Sequence, residues 1–174
     1  ATDLTTGHKV TVNLAKGQTY KVAFWAQDAD CQSYTLDENM NVSIDYSGEN
    51  NNESRDAFFK TVEVTVIGDA QESVTLKRPF AQLNVGSSSE DWTAAVASGI
   101  DIQTSAIKVY DLADKLSILD GTVSGNVNVE YTTAAIPQET LYVDANGDGT
   151  KEAYHYLSMS YLLANDATTG YAKT

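Results

Sequence analysis

A chain of 174 residues with 24 acidic and 11 basic side chains carries a net charge of −13, which repels polyphosphate and anionic lipid and argues against nucleic acid as a partner. Its 42% hydrophobic and 20% charged residues place it among globular rather than disordered chains, and apolar runs such as Val22 to Ala26 fall far short of a bilayer span. Cys31 is the single cysteine, so no internal disulfide can form.

In chain order, Val10, Val12 and Leu14 alternate with Thr11 and Asn13, the pattern of a half-buried strand. From Tyr20 to Ala26, Tyr20, Val22 and Phe24 make one apolar face and Ala23 and Trp25 the other, which predicts a central strand covered on both sides. Asp28 to Glu38 reads as a polar loop, Val42, Ile44 and Tyr46 as a strand, and Ser47 to Glu53 as a Gly/Asn-rich loop. Arg55 to Phe59 reads as one short helical turn plugged by Phe58 and Phe59, followed by a strand through Val62, Val64 and Val66.

Val74, Leu76 and Phe80 share even parity, whereas Leu83 and Val85 fall on odd positions. A change of parity within one strand predicts a bulge, a bend or a change of sheets near Ala81 and Gln82. This stretch reads as a seam between two units, residues 1–86 and 87–174. Beyond it, Ser88 to Asp91 is a helix start leading through Trp92 to Ala97 and closed by Gly99. Strand patterns then recur at Ile107 and Val109, at Leu116 and Ile118, at Val127, Val129 and Tyr131, and at Leu141 and Val143. After a Gly/Asp-rich turn, Leu157, Met159, Tyr161 and Leu163 face one way on a last strand. Short alternating strands punctuated by turns predict an all-β chain of two antiparallel β-sandwich units with one or two short helices.

The sharpest local motif is Asp144-Ala145-Asn146-Gly147-Asp148-Gly149. Oxygen side chains at positions one, three and five with glycine at six match the first half of a calcium loop, and Glu152 stands at the ninth position. Asp144, Asn146, Asp148 and Glu152 are therefore the candidate calcium ligands. His155 occupies the twelfth position, where a bidentate glutamate belongs, so a plain hairpin turn is the favoured reading. His8 and His155 are the only histidines, and no nucleophile elbow or zinc-protease signature accompanies them. A non-enzymatic role is expected, with no cofactor beyond the calcium candidate. Exposed aromatics, among them Tyr34, Trp92, Tyr154 and Tyr171, leave surface glycan binding as the alternative.

Four segments carry a family resemblance: Leu76 to Gly86 (LKRPFAQLNVG), Tyr20 to Gln27 (YKVAFWAQ), Arg55 to Phe59 (RDAFF) and Tyr154 to Leu163 (YHYLSMSYLL). In order and spacing the chain resembles the fimbrillin-like proteins, type V pilus subunits of Gram-negative gut and oral anaerobes. The resemblance implies transthyretin-like, Greek-key sandwiches and assembly with other pilus subunits by strand exchange. It further implies adhesion to a host or bacterial surface receptor, and a cell-surface, outer-membrane-associated or fimbrial location, with the membrane reached only through a lipid anchor that is later removed. Because only Ala164 to Thr174 follow the strongly patterned last strand, the second unit reads as truncated. Leu157, Met159, Tyr161 and Leu163 are then expected to border an open edge that accepts a strand from another subunit.

Overall fold

The computed structural model describes residues 9–163. The chain opens with β1 (Thr19–Gln27), β2 (Tyr34–Leu36), β3 (Asn41–Ile44), a 3₁₀ turn at Glu53–Arg55, β4 (Ala57–Thr65) and β5 (Phe80–Ser88). The single α-helix, α1 (Ser89–Ala97), follows directly. Then come β6 (Thr104–Ser105), β7 (Lys108–Leu112), β8 (Lys115–Ser117), β9 (Val123–Ser124), β10 (Val127–Glu130), β11 (Ala134–Ala135), β12 (Thr140–Val143) and the twelve-residue β13 (Glu152–Leu163). The fold is all-β, in several antiparallel sheets.

β1 pairs with β4 along its whole length, Thr19 opposite Thr65 through Gln27 opposite Ala57. Opposed residues share a face. Ala23, Trp25 and Phe59 therefore turn together onto the core, while Tyr20, Val22, Val62 and Val64 lie half-buried on the other side. β1 was expected to be central, but β4 is its one strand partner among the described residues. Arg55 closes the 3₁₀ turn Glu53–Arg55 and strand begins at Ala57, so Arg55 to Phe59 forms no helical plug.

Two sheets mix strands from distant parts of the chain, in the orders β2-β3-β8-β9 and β12-β13-β5. The boundary expected between residues 86 and 87 falls inside β5, which pairs with β13 from Phe80 opposite Leu163 to Ser88 opposite Tyr154. One buried cluster draws Val42, Ile44 and Tyr46 together with Leu116, Tyr131 and Met159. Each such aliphatic side chain contributes about 1.5–3 kcal/mol on burial, so residues on both sides of that boundary depend on one another.

The parity change in β5 needs no bulge. Phe80 faces the core at 5% exposure, whereas Leu83 and Val85 sit on the opposite face at 39% and 40%. The register shift lies in the partner strand instead, between Tyr156 and Ser158. α1 forms where the sequence predicts it. The Ser88 side chain accepts the Asp91 N–H at 3.1 Å, Glu90 and Asp91 favour the positive end of the helix dipole, and Gly99 takes a left-handed φ of 80° just past the end. None of its residues is buried.

Candidate functional site

β13 has two edges, and they are satisfied differently. Toward β5 lie Ser158, Ser160 and Leu162, opposite Val85, Leu83 and Ala81. Toward the other edge point the backbone groups of Met159, Tyr161 and Leu163, and side chains meet them there. The Met159 N–H donates to Asn51 Oδ1 at 2.8 Å and the Met159 carbonyl accepts the Asn51 N–H at 3.1 Å. The Leu163 N–H donates to the Tyr46 hydroxyl at 3.1 Å, and the Tyr131 hydroxyl donates to the Tyr161 carbonyl at 3.5 Å. Asn50 reinforces this seam, donating to Ser158 Oγ at 2.9 Å and accepting from Ser160 Oγ at 2.7 Å.

The edge expected to be open along Leu157, Met159, Tyr161 and Leu163 is therefore capped from within the chain. Met159, Tyr161 and Leu163 are 1%, 7% and 0% exposed, and Leu157 is half-buried at the bulge. The physical reason is that buried backbone polar groups must be paired, and an asparagine can supply an acceptor through its side chain beside a donor from its own backbone. Asn51 does this in a left-handed conformation, φ 58°, which asparagine tolerates better than most residues. Sequence reading placed Asn50 and Asn51 in an anonymous loop. The run Asn50-Asn51-Asn52, uncharged in so acidic a chain, was the available signal. Asn51→Ala leaves the Met159 N–H unpaired and puts alanine at positive φ, and it is expected to destabilise the fold by about 2 kcal/mol in urea unfolding. Wild-type stability in that variant would mean that the cap is dispensable.

The outer edges of this sheet are those of β12 and β5, and β5, at nine residues against four, presents the longer one. Since Ala81, Leu83 and Val85 direct their N–H and C=O groups to β13, Gln82 and Asn84 direct theirs outward. No strand pairs with that outer edge among the described residues. From Phe80 to Ser88 the sequence contains no charged residue, so the usual protection of an edge by lysine or other charges is missing.

The Asp144–Glu152 loop joins β12 to β13 as the turn of a hairpin. Asp144 Oδ1 accepts the Gly147 and Asp148 N–H groups at 2.7 and 3.1 Å, and its Oδ2 accepts that of Gly149 at 2.9 Å. Asn146 Nδ2 donates to Asp148 Oδ2 at 3.1 Å and to Glu152 Oε1 at 3.3 Å. Hydrogen bonds from the backbone and side chain of Thr150 hold the Asp148 carboxyl below the usual carboxylate range. Gly147 and Gly149 have φ of 76° and 87°, where a side chain would strain the turn. Among the described residues no group of three or more His, Cys, Asp or Glu side chains converges as a metal site. Asp144→Ala is expected to lower Tm by about 2–4 °C through the lost turn bonds, while millimolar calcium leaves the wild-type Tm unchanged. A calcium-dependent rise that Asp148→Ala removes would reassign the loop as an ion site.

A family model described as a family of unknown function (DUF6562) matches residues 1–173. The chain belongs to that family. No curated protein matches it, and neither does any solved structure.

The DUF6562 chain buries one arginine. Arg55 is 5% exposed; its guanidinium donates to the Asp45 and Ser47 carbonyls at 3.0 and 2.6 Å and lies 5.4 Å from the centre of the Tyr131 ring. Its Nε has no hydrogen-bond partner among the described residues. Tyr34 donates its hydroxyl to the Arg55 carbonyl and stacks on Phe80, so it is a packing residue rather than a sugar platform. Tyr154 is half-buried opposite Leu141 on the inward face, and Tyr171 lies outside the described residues. Trp92 stacks on His155 at 4.7 Å, and Tyr142, 62% exposed, shares that sheet face. A shallow recess of about 350 Å³ beside Tyr46 and Ser47 is bordered by Asp45, Asp114 and Glu130. Hydrogen bonds from Ser47 keep the Asp45 carboxyl below its ordinary range. No helix among the described residues is long and apolar enough to cross a membrane.

Proposed function

We propose that this protein is a non-enzymatic, cell-surface fimbrial subunit that assembles with other subunits by β-strand exchange and contributes to adhesion. The observation that carries this reading is the segment Val10 to Leu14. It has the alternation of a strand, yet it takes no ladder partner among the described residues, and Val12 is 54% exposed. A strand-patterned segment that pairs with no described strand of its own chain is suited to add to a sheet of another. Its main chain would supply the pairing, and Val10, Val12 and Leu14 the anchoring side chains. The resemblance of Leu76 to Gly86 and Tyr154 to Leu163 to fimbrillin-like subunits supports the same assignment. Immunogold labelling of the source cells is expected to decorate surface filaments, and Val12→Asp is expected to leave the subunit folded but unincorporated. Filaments built normally from Val12→Asp subunits, or label confined to the cell interior, would defeat the proposal.

A second reading, surface glycan binding, is favoured by the exposed ring of Tyr142 beside the Trp92–His155 stack. Saccharide binding that Tyr142→Ala and Trp92→Ala both abolish, in a protein that forms no filaments, would favour it.

A further inference from the structure

We infer that the outer edge of β5 is a two-fold interface at which a second copy of this chain pairs through its own β5, antiparallel and centred on Asn84. Three observations converge on this register. Asn84 is the midpoint of Phe80–Ser88, so two copies related by a two-fold axis there overlap along the entire strand, Phe80 opposite the second copy's Ser88 and Gln82 opposite its Gly86. Asn84 also directs its N–H and C=O outward, so the central pair exchanges both backbone hydrogen bonds, a geometry an antiparallel ladder provides at alternate positions.

The side chains fit the same axis. Leu83 and Val85, 39% and 40% exposed on one face, fall opposite each other across the interface twice, and four half-exposed apolar side chains become one buried patch.

Charge selects the occupant. Most of the surface of a chain at −13 repels a second copy, but β5 brings no charge to the contact over its nine residues. A two-fold contact is self-complementary and closed, so the inference does not rest on the fimbrial reading, although strand exchange onto this same edge would exclude it.

The full chain is expected to sediment at the mass of two chains. Val85→Lys, which sets like charges close to the axis at an already exposed position, is expected to weaken the dimer about 100-fold or more without a large change in Tm. Asn84→Cys is expected to form a disulfide between the introduced thiols of the two copies on mild oxidation, whereas Thr150→Cys on the exposed β12–β13 turn does not. Cys31 is buried and does not compete. A wild-type chain that stays monomeric at high concentration overturns the inference. So does a dimer indifferent to Val85→Lys, or an Asn84→Cys variant that cross-links no better than Thr150→Cys. In a Val12→Cys, Asn84→Cys double variant, disulfides linking position 12 of one copy to position 84 of the next would assign the edge to the N-terminal segment and likewise overturn it.

Discussion

Titrated upward from neutral pH, the protein is expected to hold its stability to about pH 10 and then lose it steeply by about pH 12. Burial raises the hydroxyls of Tyr34, Tyr46 and Tyr131 above their ordinary value of 10.0, Tyr131 to about 12, with Arg55 opposing the rise in all three. Below about pH 10 these groups are protonated in both the folded and unfolded chains and add no pH dependence. Above it the unfolded chain releases protons that the folded chain retains, so stability falls by up to about 1.4 kcal/mol per pH unit for each tyrosine. Three together give a slope of roughly 4 kcal/mol per unit. Urea midpoints measured from about pH 8 to about pH 12 check this, with tyrosinate absorbance rising as the fold is lost. Tyr131→Phe should shallow the slope by about a third. A flat profile to about pH 12 would mean that these phenols ionise in place.

Arg55→Met is the single substitution expected to do most harm, about 3 kcal/mol, or a fall in Tm of roughly 6–12 °C. Methionine retains much of the volume but leaves the Asp45 and Ser47 carbonyls without their charged donor. Hydrogen bonds to a charged group contribute about 1.5–3 kcal/mol each, and relief of a buried charge whose Nε is unpartnered offsets part of that. Arg55→Lys should fall between, since one ammonium cannot reproduce the planar fork that spans both carbonyls beside Tyr131. Thermal melts of the three proteins settle the order. Equal stability of Arg55→Met and wild type would show that the desolvation of the charge outweighs its hydrogen bonds.

What could be read from the sequence was local. The α1 caps at Ser88 and Gly99, the hairpin around Asn146 and the strands through Val22 and Val62 are all written within a dozen residues, because caps, turns and alternation depend on near neighbours. The partners of those strands were not legible. Nothing around Phe80 announces that it lies opposite Leu163, and nothing in Tyr46 or Tyr131 announces that their hydroxyls finish another strand's edge. The odd parity of Leu83 and Val85 predicts a bulge, bend or change of sheets only if every apolar side chain faces one core. Their exposure shows a second apolar surface instead. Val10 to Leu14 carries strand alternation without a strand, since periodicity records what a segment can pair with and not whether a partner lies within reach.

The placement of β13 governs when this chain can complete its core. The strand completes the sheet begun by β5, and its buried edge receives Tyr46, Asn50 and Asn51, residues separated from it by more than a hundred positions. Closing loops of that length has to precede the contacts that reward it, which makes folding slow and late. A nascent chain still lacking residues 152–163 has Val42, Ile44 and Tyr46 synthesised but no Met159 or Leu163 to bury them against. Such a chain can already pair β1 with β4 and β3 with β8, but the side of the cluster that faces β13 stays open to chaperones until that strand emerges and locks the first half in place.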